Sequence, residues 1–284
     1  MGSGTLLPGT HIEIINPAIE RGKVRFALFD FDGTLSLIRE GWQDVMVPMM
    51  VDILAETPQA EPREGLTGVV RDYVDRLTGK QTIYQMIQLA EEVEKRGGTP
   101  RTPLEYKHQY LALLRERIEW RVAALKSGSS QPEEFLVAGS YAILSGLQQR
   151  GVRMYLASGT DQPYVLDEAA ALRVDPYFDG GIYGALDNWQ DFSKRMLIQK
   201  IIHDNELSGP QFLAFGDGFV EIEDCKEAGG IAVGVAADER RRKGVDEWKR
   251  NRLTDAGADI IIPDFREADR LLGYLFGPIS VVAP

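Results

Sequence analysis

Val24-Arg-Phe-Ala-Leu-Phe-Asp30-Phe-Asp32-Gly33-Thr34-Leu35 is the stretch around which the chain is organised. Its apolar run, Phe26 to Phe29, reads as a buried strand of the kind found in parallel sheets. The run stops at two aspartates separated by one residue, and Gly33 and Thr34 then break the strand. Residues two apart on a regular strand point to the same side, so Asp30 and Asp32 would crowd each other. Two carboxylates about 4 Å apart repel by roughly 4 kcal/mol at an effective dielectric near 20. Such a pair needs a divalent cation, a shared proton or a turn that splays the side chains. A plain acidic turn is the alternative, and a second aspartate directly after a buried strand weighs against it.

Before this strand, His11 to Asn16 alternates apolar and polar residues, which predicts an extra edge strand or extended arm. After Leu35 the pattern turns helical as far as about residue 130. Apolar stripes run through Trp42, Val45, Met46 and Met49; through Val70, Tyr73, Val74 and Leu77; and through Ile83, Met86, Ile87 and Val93. The longest candidate spans Pro103 to Lys126. Pro and Gly separate the four, so they predict a helical domain whose Met and aromatic stripes are packing surfaces.

From Phe135 helices and strands alternate again. Val152–Ala157, Gln211–Phe215, Ile231–Ala236 and Ala258–Ile262 read as strands, and Glu239 to Arg252 as a charged, solvated surface helix. Strands alternating with helices predict a parallel sheet with right-handed crossovers. The helical block is therefore an insertion into one α/β domain. The boundaries expected are an N-terminal arm over 1–22, an α/β core over 23–36 and 137–284, and the inserted domain over 37–136.

The chain's 284 residues, 44% hydrophobic and 26% charged, suit a globular protein with an ample core. A net charge of −11 argues against nucleic acid as partner. The single Cys225 excludes an intrachain disulfide and a cysteine-rich metal site. No apolar run approaches a membrane span, and no basic-then-apolar signal pattern opens the chain. The expectation is a cytoplasmic protein with no membrane partner.

Open parallel sheets bind ligands at the carboxyl ends of their strands. Three strand ends here carry polar groups: Asp30, Asp32 and Thr34; Ser158 and Gly159; Asp217 and Glu221. Lys194 opens the helix before the third of these strands. Together they suit phosphoryl transfer, with Asp30 as nucleophile, Asp32 as general acid and base, Mg²⁺ shared by the carboxylates, and Ser158 and Lys194 on the phosphate oxygens.

These residues resemble the haloacid dehalogenase superfamily of phosphotransferases. The first motif of that superfamily, Asp-x-Asp-x-Thr after a hydrophobic strand, matches Asp30-Phe-Asp32-Gly-Thr34. The second matches Tyr155-Leu-Ala-Ser158-Gly, the third Lys194, and the fourth Gly216-Asp217-Gly-Phe-Val-Glu221. The helical insertion stands where the branch of phosphoglycolate phosphatases and β-phosphoglucomutases carries its cap. The resemblance implies a Rossmann-like parallel sheet with a four-helix cap, and an aspartyl phosphate formed on Asp30. It implies Mg²⁺ held by Asp30, the Asp32 backbone carbonyl and Asp217, with Glu221, where Asp is commoner, as a direct ligand or one acting through water. In the cap, Gly79, Lys80, Gln81 and Thr82 resemble the turn that selects substrate, but the Arg of the mutase pattern is missing there. Arg39, just past the first motif, is a further candidate for substrate contact. The reading is a Mg²⁺-dependent phosphatase of a small phosphorylated metabolite; a phosphomutase is the alternative, and a non-catalytic phosphate-binding regulator the third.

Overall fold

The computed structural model describes residues 4–277 apart from 187, 189, 191 and 192. Residues 1–3 of the expected arm, and 278–284 and those four positions of the expected core, lie outside the described residues. Strand β3 (Phe26–Phe29) is central, and all four of its residues are buried. Phe26 and Leu28 enter the apolar core on one face of the sheet, Ala27 and Phe29 the core on the other. This is the continuous apolar pattern of a strand covered on both sides. Phe29 stacks on Phe215 at 4.5 Å between ring centroids and meets Phe178 and Phe265 at wider angles.

On one side of β3 lie β4 (Arg153–Asp161) and β5 (Gly181–Ala185); on the other lie β6 (Phe212–Gly216), β7 (Ile231–Val235) and β8 (Ile260–Ile262). All five join β3 in one parallel sheet. The chain moves outward from β3 to β5 and returns to β6 at β3's other edge, so the strand order reverses beside β3. That reversal opens a crevice at the carboxyl ends of the strands. Two short antiparallel strands, β1 (Thr5–Leu6) and β2 (Glu13–Ile14), extend the β8 edge to eight strands. The alternating arm thus becomes an edge strand, shorter than His11–Asn16, with a partner at Thr5–Leu6 that the sequence did not announce.

Four helices, α1 (Gln43–Ala55), α2 (Arg63–Leu77), α3 (Thr82–Lys95) and α4 (Pro103–Ser127), form the inserted domain. The α/β core with an inserted four-helix domain is the predicted fold class. α4 begins where Thr102 and Glu105 form a reciprocal capping box and ends at Gly128 in the left-handed region. The two connections to the core are fastened to each other: Leu37 N donates to Phe135 O at 2.8 Å, and Val137 N to Leu35 O at 2.9 Å. The remaining core helices are α5 (Ser140–Gln148), α6 (Gln162–Ala171), α7 (Lys194–Asp204), α8 (Phe219–Glu227), α9 (Glu247–Asp255) and α10 (Ala268–Phe276).

One reading is corrected. Glu239 to Arg252 is not a solvated helix: helix α9 starts only at Glu247, and Lys249 is 9% exposed because it reaches Asp217 and Glu239, which follow strands β6 and β7. Among the described residues no helix is long and apolar enough to cross a membrane.

Candidate active site

The site is assembled at the carboxyl ends of β3, β4 and β6. Asp30 N still donates to Phe215 O at 2.9 Å, continuing the ladder, but the chain then turns: Leu35 N and Ser36 N both donate to Phe31 O. Gly33 sits in this turn at φ +76°, where a side chain is strained. A Cβ there would also stand 2.2 Å from Asp217 Oδ2, so glycine is required twice over. The turn splays the two aspartates, which therefore do not crowd each other as on a regular strand.

Asp30 is buried, and its Oδ1 accepts from Lys194 Nζ at 2.6 Å. Lys194 Nζ also donates to Glu221 Oε2 at 2.9 Å. Burial pushes the Asp30 carboxyl well above its ordinary range; Lys194 opposes that, and Glu221 and Asp217 add to it. Burial pulls the Lys194 ammonium down, but Asp30 and Glu221 outweigh it and hold the pKa above the usual value. Ser193 caps α7 by accepting from Met196 N, which places Lys194 at the first helical position. Glu221, 0% exposed, has its other oxygen on Gly218 N at 2.9 Å, so both of its oxygens are engaged.

Asp32 has a different environment. Its Oδ2 accepts from Ser158 Oγ at 3.1 Å and Thr160 Oγ1 at 2.9 Å. Its Oδ1 is buried with no hydrogen-bond partner among the described residues, and Arg39 Nε stands 3.7 Å away. Arg39 in turn is held by Glu168 of α6, Nε and Nη2 both donating to that carboxylate. Thr34 Oγ1 accepts from Asp217 N at 2.9 Å and approaches Asp30 Oδ2 at 3.5 Å, tying the ends of β3 and β6 together. Ser158 and Gly159 lie within β4, which continues through an irregularity to Asp161 and does not turn at Ser158.

Asp30, Asp217 and Glu221 can each bring one carboxylate oxygen within 4.8 Å of the others. An all-oxygen, partly buried donor set fits Mg²⁺, a hard cation. Asp217 Oδ2 is taken by Lys249 Nζ at 2.7 Å, and its Oδ1 accepts no hydrogen bond among the described residues.

The inserted domain closes over this floor. A cavity of about 110 Å³ is lined below by Asp30, Asp32, Ser158, Gly159, Lys194 and Asp217, and above by Trp42, Gly79, Lys80, Thr82, Gln85 and Tyr110. Arg39 lines it as well, from the connection between the domains. Gln81 is buried and does not line the cavity. The turn at Gly79 lies on the floor itself: a Cβ on Gly79 would stand 3.2 Å from Gly218 Cα, and one on Gly159 3.3 Å from Lys80 O. Lys107 of α4 pairs with Asp161 at 2.5 Å, and Arg252 of α9 donates to the carbonyls of Asp75, Arg76 and Thr78 at the end of α2. Sequence reading missed Thr160, Gln85, Tyr110, Glu239 and Lys249. Thr160 alone carried a local signal, two residues past Ser158 at the same strand end.

Residues 24–229 match the family model described as haloacid dehalogenase-like hydrolase. Solved structures of similar fold include a predicted phosphoglycolate phosphatase from Haemophilus somnus, 16% identical with a TM-score of 0.58, covering 88% of this chain and 98% of that one. A β-phosphoglucomutase from Clostridium difficile is 10% identical with a TM-score of 0.59, covering 89% and 97%. CbbY from Rhodobacter sphaeroides, solved with phosphate, is 18% identical with a TM-score of 0.53, covering 86% and 96%. At these identities the likeness is one of fold. No curated protein matches the chain.

Proposed function

The chain belongs to the haloacid dehalogenase-like hydrolases, and from that membership we propose that it is a Mg²⁺-dependent phosphatase hydrolysing a small phosphate monoester through an aspartyl phosphate on Asp30. One observation carries the reading: Asp30 is buried and fastened to Lys194, while Asp32, two residues on, faces Ser158 and Thr160 with one oxygen unspent. These are the different surroundings a nucleophile and a proton carrier require.

In the first half-reaction an Asp30 oxygen forms a bond to phosphorus, and the bond from phosphorus to the ester oxygen breaks. Asp32 delivers its proton to that oxygen. In the second, Asp32 takes a proton from water as the water oxygen attacks phosphorus, and Asp30 leaves. Lys194, with one N–H beyond its two carboxylate bonds, and Ser158 with the backbone at Gly159 neutralise charge on the phosphoryl oxygens. Asp30, Asp217 and the Asp32 backbone carbonyl would hold Mg²⁺, and Glu221 acts by fixing Lys194. Bound there, the ion supplies positive charge to the transferring oxygens and favours the ionised nucleophile.

The cavity supports hydrolysis over mutase transfer. Among the described residues, its cap-side lining of Trp42, Gly79, Lys80, Thr82, Gln85 and Tyr110 offers one cation, Lys80, for a second phosphate, and Arg39 is already held by Glu168. A single free, buried cysteine suits the cytoplasm. The test is a panel of sugar and acid phosphates incubated with Mg²⁺, read by free phosphate, with β-glucose 1-phosphate followed by phosphorus NMR. Phosphate release from a small monoester is expected. Glucose 6-phosphate forming faster than inorganic phosphate would replace hydrolysis with mutase transfer, and no product from any member would leave a phosphate-binding regulator.

A further inference from the structure

The carboxylate cluster is flanked by lysines on two sides, and no motif accounts for the second. Asp246 caps α9 by accepting from Lys249 N at 3.0 Å, which fixes Lys249 in the helix's first turn. Side chains there lean back toward the helix start, and this one runs to the site. Its buried ammonium is shared between Asp217 Oδ2 at 2.7 Å and Glu239 Oε1 at 2.6 Å. Glu239 is delivered by the segment after β7, whose ends are joined by an Ala237–Val245 bridge. A Cβ on Gly33 would stand 3.0 Å from Glu239 Oε1 as well as 2.2 Å from Asp217 Oδ2, so the turn after β3 backs both carboxylates.

We infer that the Lys249–Glu239 pair sets the affinity of the site at Asp30 and Asp217 for a divalent cation. Lys249 competes with the ion for Asp217, and Glu239 draws the ammonium part of the way off. The inference rests on the metal-dependent reading above and adds two positioning residues to it. A fixed positive charge touching a ligand carboxylate repels an incoming divalent ion and weakens that carboxylate as a donor. Glu239 offsets this because the pair's net charge is zero. Removing Glu239's charge leaves the ammonium entirely on Asp217. Removing Lys249's charge frees Asp217 and leaves a further carboxylate beside the ion.

A pair that merely braced Asp217 would behave otherwise, since losing either member would loosen the same side chain and shift affinity in one direction. Mg²⁺ titrated calorimetrically into the full chain separates the two. E239Q should bind Mg²⁺ about tenfold or more weakly, K249Q about tenfold or more tightly, and the double variant close to the unchanged protein, effects of the size outer groups exert on metal sites. Shifts in the same direction, or none, overturn the inference. Should K249Q melt below the assay temperature, the double variant decides beside E239Q: binding restored toward the unchanged protein is expected, and binding as weak as that of E239Q overturns the inference. Absence of Mg²⁺ binding by the unchanged protein would overturn the metal reading itself, whereas same-direction shifts leave that reading standing.

Discussion

Asp30 and Asp32 are identical side chains two positions apart, and in the proposed mechanism their different neighbours divide the work between them. Asp30 sits against one ammonium in a buried place; Asp32 faces two hydroxyls and the edge of a guanidinium. Asp30→Asn should therefore eliminate both turnover and phosphoenzyme, since an amide cannot form the acyl phosphate. Asp32→Asn should lower kcat by ~10²–10⁴-fold, the usual worth of positioned acid–base help; single-turnover kinetics with acid quench measure both. Asp30, Asp32, Lys194 and Asp217 were legible in the sequence because each follows a strand or opens a helix, and such boundaries are written locally; Ser158 was legible as the polar residue that ends the apolar run of β4, although the strand continues past it. Glu239 and Lys249 were not. A charged run reads as solvated until the sheet brings Asp217 within reach of it, and nothing within the run records that neighbour.

Among the elements, the turn between α2 and α3 is the part of the cap that rests on the floor of the cavity. Gly79 has φ +97° and lies on the backbone of Gly218, next to Asp217. Gly79→Ala strains the turn and presses it against the backbone of Gly218. It should reduce kcat/KM by less than the about 10²-fold that a displacement near 1 Å costs, because the contact calls for a few tenths of an ångström, while Mg²⁺ affinity measured by calorimetry stays unchanged. Equal losses in both would mean that the turn supports the floor and not the substrate. The paired connections at Leu35–Leu37 and Phe135–Val137 make a short double strand, so the cap is carried on two chains that must bend together. The four cap helices were readable from apolar spacing alone. The arrival of Arg252 at the carbonyls ending α2 was not, because those acceptors are backbone groups that every helix end offers.

For the molecule as a whole, the site depends on one strand buried on both faces. Phe29→Ala should cost about 3–5 kcal/mol in urea unfolding, because its ring packs against Phe178, Phe215 and Phe265 and the gap cannot close. On the proposed function, a chain of net charge −11 that gathers acidic groups beneath its cap takes a divalent ion to accept a phosphate. Turnover should accordingly vanish in excess EDTA and return with Mg²⁺. Whether phosphoryl transfer passes through Asp30 is answered by rapid acid quench during turnover of a small phosphate monoester, followed by peptide mass spectrometry. One phosphoryl group is expected on the peptide containing Asp30, absent from Asp30→Asn. Full turnover with that peptide unmodified at every quench time, or a phosphoryl group carried by another residue, would contradict it.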